Sequence, residues 1–389
     1  MSKEKINKVL KDCMKALNYI KYDLKVHEVS TQGANYTSNL YKVELVPENG
    51  IETLKLFVKM ACPSVKMRST LDEWKIYATE RLFYTKLVDT YRDLEDESYL
   101  DLQHRLDFCK FYACQSVPHE EMLILEDLTA NNWMVYHRFQ PMSWPYAKSA
   151  ISVLAKFHAL SFAFSTKRSD EFKKVLETLK TEMNIKSLAG YVKNAKDLAL
   201  QNVKPEHKVL LEKYLNDFET KIKKVNEPIG PYVITHGVFR PSNLMHKVRQ
   251  DGTVDVRIVD LQTLQGASPV VDLLYFVFTS TDEDFREHYF QKLIDLYYNE
   301  LQEAMRRFNL EPDYLYSKAT FDSEIKQKLP YGLTIAVFAL PVATVSVQNA
   351  PKVDENMELS AFFAGKASDL YVKRLNGIVD DFVKWGLLK

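Results

Sequence analysis

The chain has 389 residues, enough for two domains or for one two-lobed unit around a large core. Lysine plus arginine and aspartate plus glutamate number 52 each, so charge gives no case for a dedicated nucleic-acid or anionic-membrane binder. With 46% hydrophobic residues, 12% aromatic residues and 11 glycines, the composition is that of a globular protein and not of a disordered chain.

The opening stretch, MSKEKINKVLKDCMKALNYIKYD, lacks the apolar block of a signal peptide and predicts an amphipathic helix. SNLYKVELV and TLKLFVKM alternate apolar and polar residues, and the intervening PENG is a turn, so the two predict an antiparallel hairpin. STLDEWKIYATERLFYTKLVDTY then carries Trp74, Tyr77, Ala78 and Leu82 at helical spacing, and DFCKFYACQ and EMLILEDLT read as two further strands. From Thr129 onward the chain reads as mostly helical. YAKSAISVLAKFHALSFAFS predicts a strongly apolar helix, and residues 169–226 predict charged amphipathic helices. A small β segment is expected over 231–262, with helices again to the end. Strands first and helices after, with no linker between, predict an α+β unit: a β-rich lobe over 1–128 and a larger helical lobe over 129–389.

No apolar run reaches the ~20 residues of a membrane span. The longest, YGLTIAVFALPVATV, is interrupted at Pro341 and reads as a buried helix. Cys13, Cys62, Cys109 and Cys114 show neither CxxC spacing nor disulfide-scaffold density, which predicts reduced thiols and a cytoplasmic protein.

The stretch THGVFRPSN, Thr235 to Asn243, is built like a phosphotransferase loop without its base. In the protein-kinase template H-R-D-x-x-x-x-N, Asp accepts the substrate's hydroxyl proton and Asn, five residues later, holds Mg²⁺. Here Val238 stands five residues before Asn243, and valine neither takes a proton nor binds metal. The following LMHKVRQDGTVDVRIVDLQ contains an Asp-Gly hairpin signal. With Asp251 and Gly252 as the two central turn residues, Asn243 would stand directly opposite Asp260, joining an amide oxygen and a carboxylate as a metal pair. Taken singly, Asn243 also reads as a turn cap and Asp260 as a strand end.

These motifs in order resemble the ecdysteroid kinase-like family, relatives of choline and aminoglycoside kinases with a bilobal protein-kinase-like fold. The resemblance implies that GANYTS (Gly33, Asn35, Tyr36, Thr37 and Ser38 within it) is the phosphate-covering loop. It implies that Lys59 of LFVKM contacts the α- and β-phosphates, that Glu80 of ATERLFY pairs with it, and that LILEDL, with Glu126, Asp127 and Leu128, is the hinge that meets adenine. IVDLQ matches the metal-binding motif through Asp260, and LAKFHALS and SPVVDLLYF supply His158 and Asp272. His158, His236 and Asp272 read as structural, with Asp272 anchoring the catalytic-loop backbone. The implied cofactor is Mg·ATP and the implied ligand a small hydroxylated, steroid-like molecule.

The departure is His236-Gly237-Val238 where the family has H-G-D. General-base assistance contributes ~10²–10⁴-fold, while positioning and charge neutralisation carry much of phosphoryl transfer. Three readings follow: a pseudokinase that keeps nucleotide or ligand binding, an active kinase with a substitute base, and a nucleotide-independent binding or scaffold protein. Arg240, a permanent cation, is no substitute base, and His246 lies too far along the hairpin.

Overall fold

The computed structural model describes residues 2–30, 33–181, 187–225, 227 and 229–389. The amphipathic stripe of α1 (Ser2–Ala16) buries Ile6, Leu10 and Met14 against one face of a five-stranded antiparallel sheet. The strands are β1 (Tyr22–Glu28), β2 (Ser38–Pro47), β3 (Leu54–Ala61), β4 (Phe111–Gln115) and β5 (Met122–Glu126), in the order β1-β2-β3-β5-β4. Val43 and Leu45 of β2 and Leu56 and Val58 of β3 face α1. Because side chains alternate along a strand, Lys59 then points to the opposite face.

The segment from Ser69 to Tyr91 does not form one helix. Lys75 takes a left-handed backbone (φ 53), which divides α2 (Val65–Glu73) from α3 (Ile76–Leu82). A wider π turn at Phe83–Leu87 then leads into α4 (Val88–Glu97). Tyr91 of α4 packs edge-on against Phe157 and Phe164 of α5 (Trp144–Lys167), so one apolar core runs through both ends of the chain's 128/129 junction.

The helical part continues with α6 (Ser169–Leu179), α7 (Ala189–Asn202), α8 (Lys208–Leu215) and α9 (Phe218–Val225). A short β6 (Met134–Val135) joins β8 (Leu244–Val248) and β9 (Val254–Ile258) in a small sheet, and β7 (Val233–Thr235) pairs with β10 (Gln265–Ala267). The remaining helices are α10 (Pro269–Ser280), α11 (Glu283–Arg307), α12 (Pro312–Leu315), α13 (Lys318–Lys328), α14 (Gly332–Ala343) and α15 (Asp369–Lys384). Helix α14 is buried along most of its length and passes through Pro341 into its last turn. No described helix is long and apolar enough to cross a membrane.

The β8–β9 hairpin departs from the expected register. Leu244 pairs with Ile258 and Val248 with Val254, so the loop holds one residue more than a two-residue turn. Arg249 N–H donates to Thr253 O (2.8 Å), and Gly252, in a left-handed conformation at φ +81, donates to Arg249 O (3.0 Å). Asp251 accepts from the Thr253 N–H at 2.9 Å, which stabilises the wider loop. One extra loop residue shifts every pair by one. Asn243 therefore faces Val259, whose N–H donates to Asn243 O at 3.0 Å, and not Asp260.

Candidate active-site cleft

Helix α10 fixes the loop from below. Ser268 caps it, Pro269 opens it, and Asp272 in its first turn is fully buried. Its carboxylate accepts from the backbone N–H of His236 (2.6 Å) and of Gly237 (2.9 Å). His158 Nε2, 3.2 Å away, donates to it, and His158 Nδ1 lies 2.6 Å from Tyr297 Oη. His236 donates through Nε2 to Val259 O (3.0 Å) and accepts the Val238 N–H at Nδ1 (3.3 Å). A carbonyl or carboxylate partner requires a proton on Nε2 of both histidines. Gly237 (φ +82) lies so close to β10's lead-in that a Cβ there would sit 2.3 Å from Thr263 O. Asp272 and His236 hold loop backbone, His158 holds the Asp272 carboxylate, and none of the three lines the large cavity.

Above the loop, Lys59 Nζ lies 2.8 and 2.6 Å from the two Glu80 oxygens and 2.6 Å from Asp260 Oδ1. Burial disfavours the ammonium, but Asp260 and Glu80 together outweigh it and hold Lys59 above its ordinary range. Burial likewise opposes ionisation of Asp260, yet the Lys59 charge and hydrogen bond, with smaller contributions from His236 and Arg240, together outweigh it and keep the carboxyl below its usual range. For Glu80 burial prevails over Lys59, and Asp260 adds to the rise. Asp260 itself has a left-handed backbone (φ 64), which turns its carboxylate out of β9's line towards Lys59.

The loop from Gly33 to Ser38 folds over this centre. Asn35 Nδ2 donates to Ser38 O (2.6 Å), and Thr37 Oγ1 lies 3.1 Å from both Asn35 Oδ1 and Gln262 Oε1. Tyr77 Oη donates to Thr37 O (2.7 Å) and accepts the Cys62 N–H (2.9 Å). Tyr36 is buried, its ring edge-on to Phe362 at 4.6 Å.

Beneath the loop opens a cavity of about 320 Å³. Its walls are mostly apolar, among them Leu71, Ile76, Val271, Ile335, Phe338 and Phe362. Arg240, Asn243 and Asp260 are among its polar lining residues, Val238 lines it too, and Asp260 is the sole carboxylate among its described lining residues. Asn243 Nδ2 donates to Val238 O (3.0 Å), which leaves its Oδ1 with a long bond from Ser242 Oγ (3.3 Å). Two oxygen donors of this kind suit a hard divalent cation completed by phosphate and water. No group of three or more His, Cys, Asp or Glu residues among those described could hold a metal by itself.

Several expected site residues lie elsewhere. Glu126 accepts from Arg257 Nη1 (3.0 Å), Asp127 caps the turn at Leu128–Asn131, and neither they nor Leu128 line the large cavity. Ser38, Lys59 and Glu80 line a smaller recess of about 90 Å³. Sequence reasoning missed Gln262 as the loop's anchor and the aromatic residues Trp74, Tyr191 and Tyr275 of the cavity wall. Gln262 alone carried a signal, through its place in the DLQ motif.

A buried lysine shared by two carboxylates, an asparagine from a loop anchored by a helix-borne aspartate, and a ligand-sized cavity beside them define the frame of a small-molecule phosphotransferase. The profile of the ecdysteroid kinase-like family matches residues 32–310, and the chain belongs to that family of kinase-like proteins. A search of curated proteins returns no significant match. Among solved structures, the chain is similar to the GDP complex of aminoglycoside 2'-phosphotransferase-IIIa (TM-score 0.43, 10% identity), covering 99% of this chain and 100% of that one. It is also similar to the amicoumacin kinase hAmiN in complex with AMP-PNP, Ca²⁺ and amicoumacin (TM-score 0.38, 12% identity, 98% and 96% covered).

Proposed function

We propose that this protein is a pseudokinase of its family, a cytoplasmic binder of Mg·ATP and of a small hydroxylated, steroid-like ligand with turnover lost or severely reduced. The observation that carries this reading is Val238 in the cavity wall, with Asp260 as the one carboxylate among its described lining residues and already paired with Lys59. A hydroxyl entering the cavity would find no free base among the described lining residues, which disfavours an active kinase with a substitute base. Asn243 and Asp260 would hold Mg²⁺, and Lys59 the phosphates. The bound cation would supply charge neutralisation on those phosphates. A second reading, ligand binding without nucleotide, is favoured by the Thr37–Gln262 contact, which lays the loop on the motif that phosphates would occupy.

The test is ATP turnover by wild type and by Val238→Asp against hydroxylated steroids and small alcohols, with thermal shift in Mg·ATP alongside. Turnover by the aspartate variant alone is expected. Comparable turnover by wild type sinks the pseudokinase reading. A ligand at 100 times its Kd stabilises by ~2.7 kcal/mol, so no thermal shift at saturating Mg·ATP sinks nucleotide binding in favour of the second reading.

A further inference from the structure

A second, smaller cavity of about 20 Å³ adjoins the first, and Ala34 and Arg240 line both. Its lining includes three arginines, Arg138, Arg240 and Arg374, brought from a loop, the base-less catalytic loop and α15. No carboxylate is among its described lining residues. Like charges in a half-buried cavity repel, and their desolvation goes uncompensated unless an anion or well-placed acceptors meet them.

Helix carbonyls meet part of that need. Arg374 Nη1 donates to Thr279 O (2.7 Å) and Nη2 to Ser280 O (3.3 Å) and Arg138 O (3.4 Å). Arg138 Nη1 donates to Ala343 O at 3.4 Å. These bonds satisfy the C-terminal ends of α10 and α14, as cations at helix ends commonly do. They do not explain the rest. Arg374 Nε and Arg240 Nε are buried and have no partner among the described residues, and no hydrogen bond or ion pair there engages the Arg240 side chain. Tyr36 Oη and Trp74 Nε1, on the wall of the larger cavity, are also buried with no hydrogen-bond partner among the described residues. Trp and Arg N–H groups only donate, so this set asks for an acceptor-rich ligand.

The charges facing the cluster agree. Burial pulls Arg374 down to about 10, with Asp282 opposing and Arg286 adding to the fall. Arg138 is lowered by burial and by Arg240, with Tyr36 opposing, and burial pushes Tyr36 up to about 12. Asp260 and Tyr275 also lie within the field of Arg240. Asp260 is already bound to Lys59. The catalytic loop thus presents a cation, with Val238 in place of a proton acceptor.

We infer that the protein binds an amphipathic oxyanion, its apolar body in the 320 Å³ cavity and its sulfate, phosphate or carboxylate head on Arg240, Arg138 and Arg374. The inference rests on the reading of the large cavity as a ligand cleft. It assigns that cleft a conjugated, charged ligand in place of a free alcohol.

Isothermal titration of the full chain, without nucleotide, tests it with three probes: a 3-hydroxysteroid, its 3-sulfate ester and inorganic sulfate. The ester is expected to bind at least about tenfold more tightly than the alcohol, as charge-assisted bonds to a guanidinium allow. Arg240→Met, which breaks no hydrogen bond or ion pair among the described residues, should remove that preference. Arg240→Lys should retain part of it. Equal binding of ester and alcohol, no binding of the ester, or a preference that survives Arg240→Met overturns the inference. Inorganic sulfate matching the ester also overturns it, because the apolar cavity would then take no part. Mg·ATP titrated in parallel keeps the two readings apart. Ester preference without Mg·ATP binding removes the nucleotide reading alone, and Mg·ATP binding without ester preference removes this one alone. An equal tenfold loss of Mg·ATP affinity in Arg240→Met would make the cluster part of the nucleotide site and overturn the inference.

Discussion

Lys59 and Asp260, 201 residues apart in the chain, meet at 2.6 Å. The contact joins the sheet that carries Lys59 to the end of the β8–β9 hairpin, and Glu80 on α3 closes the group into a lysine shared by two carboxylates. Lys59 and Glu80 are buried, so the lysine's charge is what makes the two acids tolerable to each other.

Lys59→Met should therefore destabilise the fold by about 3 kcal/mol, since it leaves two carboxylates facing each other without a cation. Adding Glu80→Gln should recover more than half of that loss. Urea unfolding of the wild type, the single variant and the pair measures both effects. A loss below about 1 kcal/mol, in the range of surface ion pairs, would mean that solvent already screens the cluster.

Two glycines with nearly the same backbone separate conformational strain from collision. Gly252 (φ +81) has nothing within 4 Å of an added Cβ, whereas Gly237 (φ +82) would place one 2.3 Å from Thr263 O. Gly252→Ala should cost about 1 kcal/mol, the left-handed penalty alone. Gly237→Ala should cost about 3 kcal/mol through added overpacking and should displace the Val238 loop. Equal losses in thermal or urea unfolding would refute the close approach.

Acid should weaken the fold through His246, whose ring packs among Tyr136 and Tyr146. Burial lowers its pKa, with a bond to the Met134 backbone opposing. The folded protein thus favours the neutral ring, so this contribution to stability is complete above the unfolded value of ~6.5 and declines as pH falls below it. The stability difference between wild type and His246→Leu should narrow or reverse sign towards the leucine variant between pH 7 and pH 5. A difference independent of pH over that interval would show that His246 does not titrate there.

Much of the frame was legible because its causes are local. Alternation in β2 and β3 put Val58 towards α1 and so Lys59 towards the cleft, a consequence of period two. Helical spacing placed Glu80 on the segment that reaches Lys59, and the first turn of α10 placed Asp272 beneath the His236–Gly237 backbone. Local rules failed where one residue changes the geometry. The β8–β9 loop takes one residue more than its Asp-Gly pair suggests, and Lys75 turns left-handed and splits a helix whose apolar pattern continues across it.

The sequence by itself determined most of the strands and helices and the valine at position 238, and its family resemblance supplied Lys59, Glu80 and Asp260. The strands and helices rest on periodicity and turn chemistry, which act over a few neighbouring residues. Only the tertiary structure decided that Asn243 faces Val259, that Thr37 reaches Gln262, and that Arg138, Arg240 and Arg374 share one cavity. Those relations join residues more than a hundred positions apart or turn on a single residue of register. They are set by how packed elements meet in space, and no local pattern in the chain encodes that meeting.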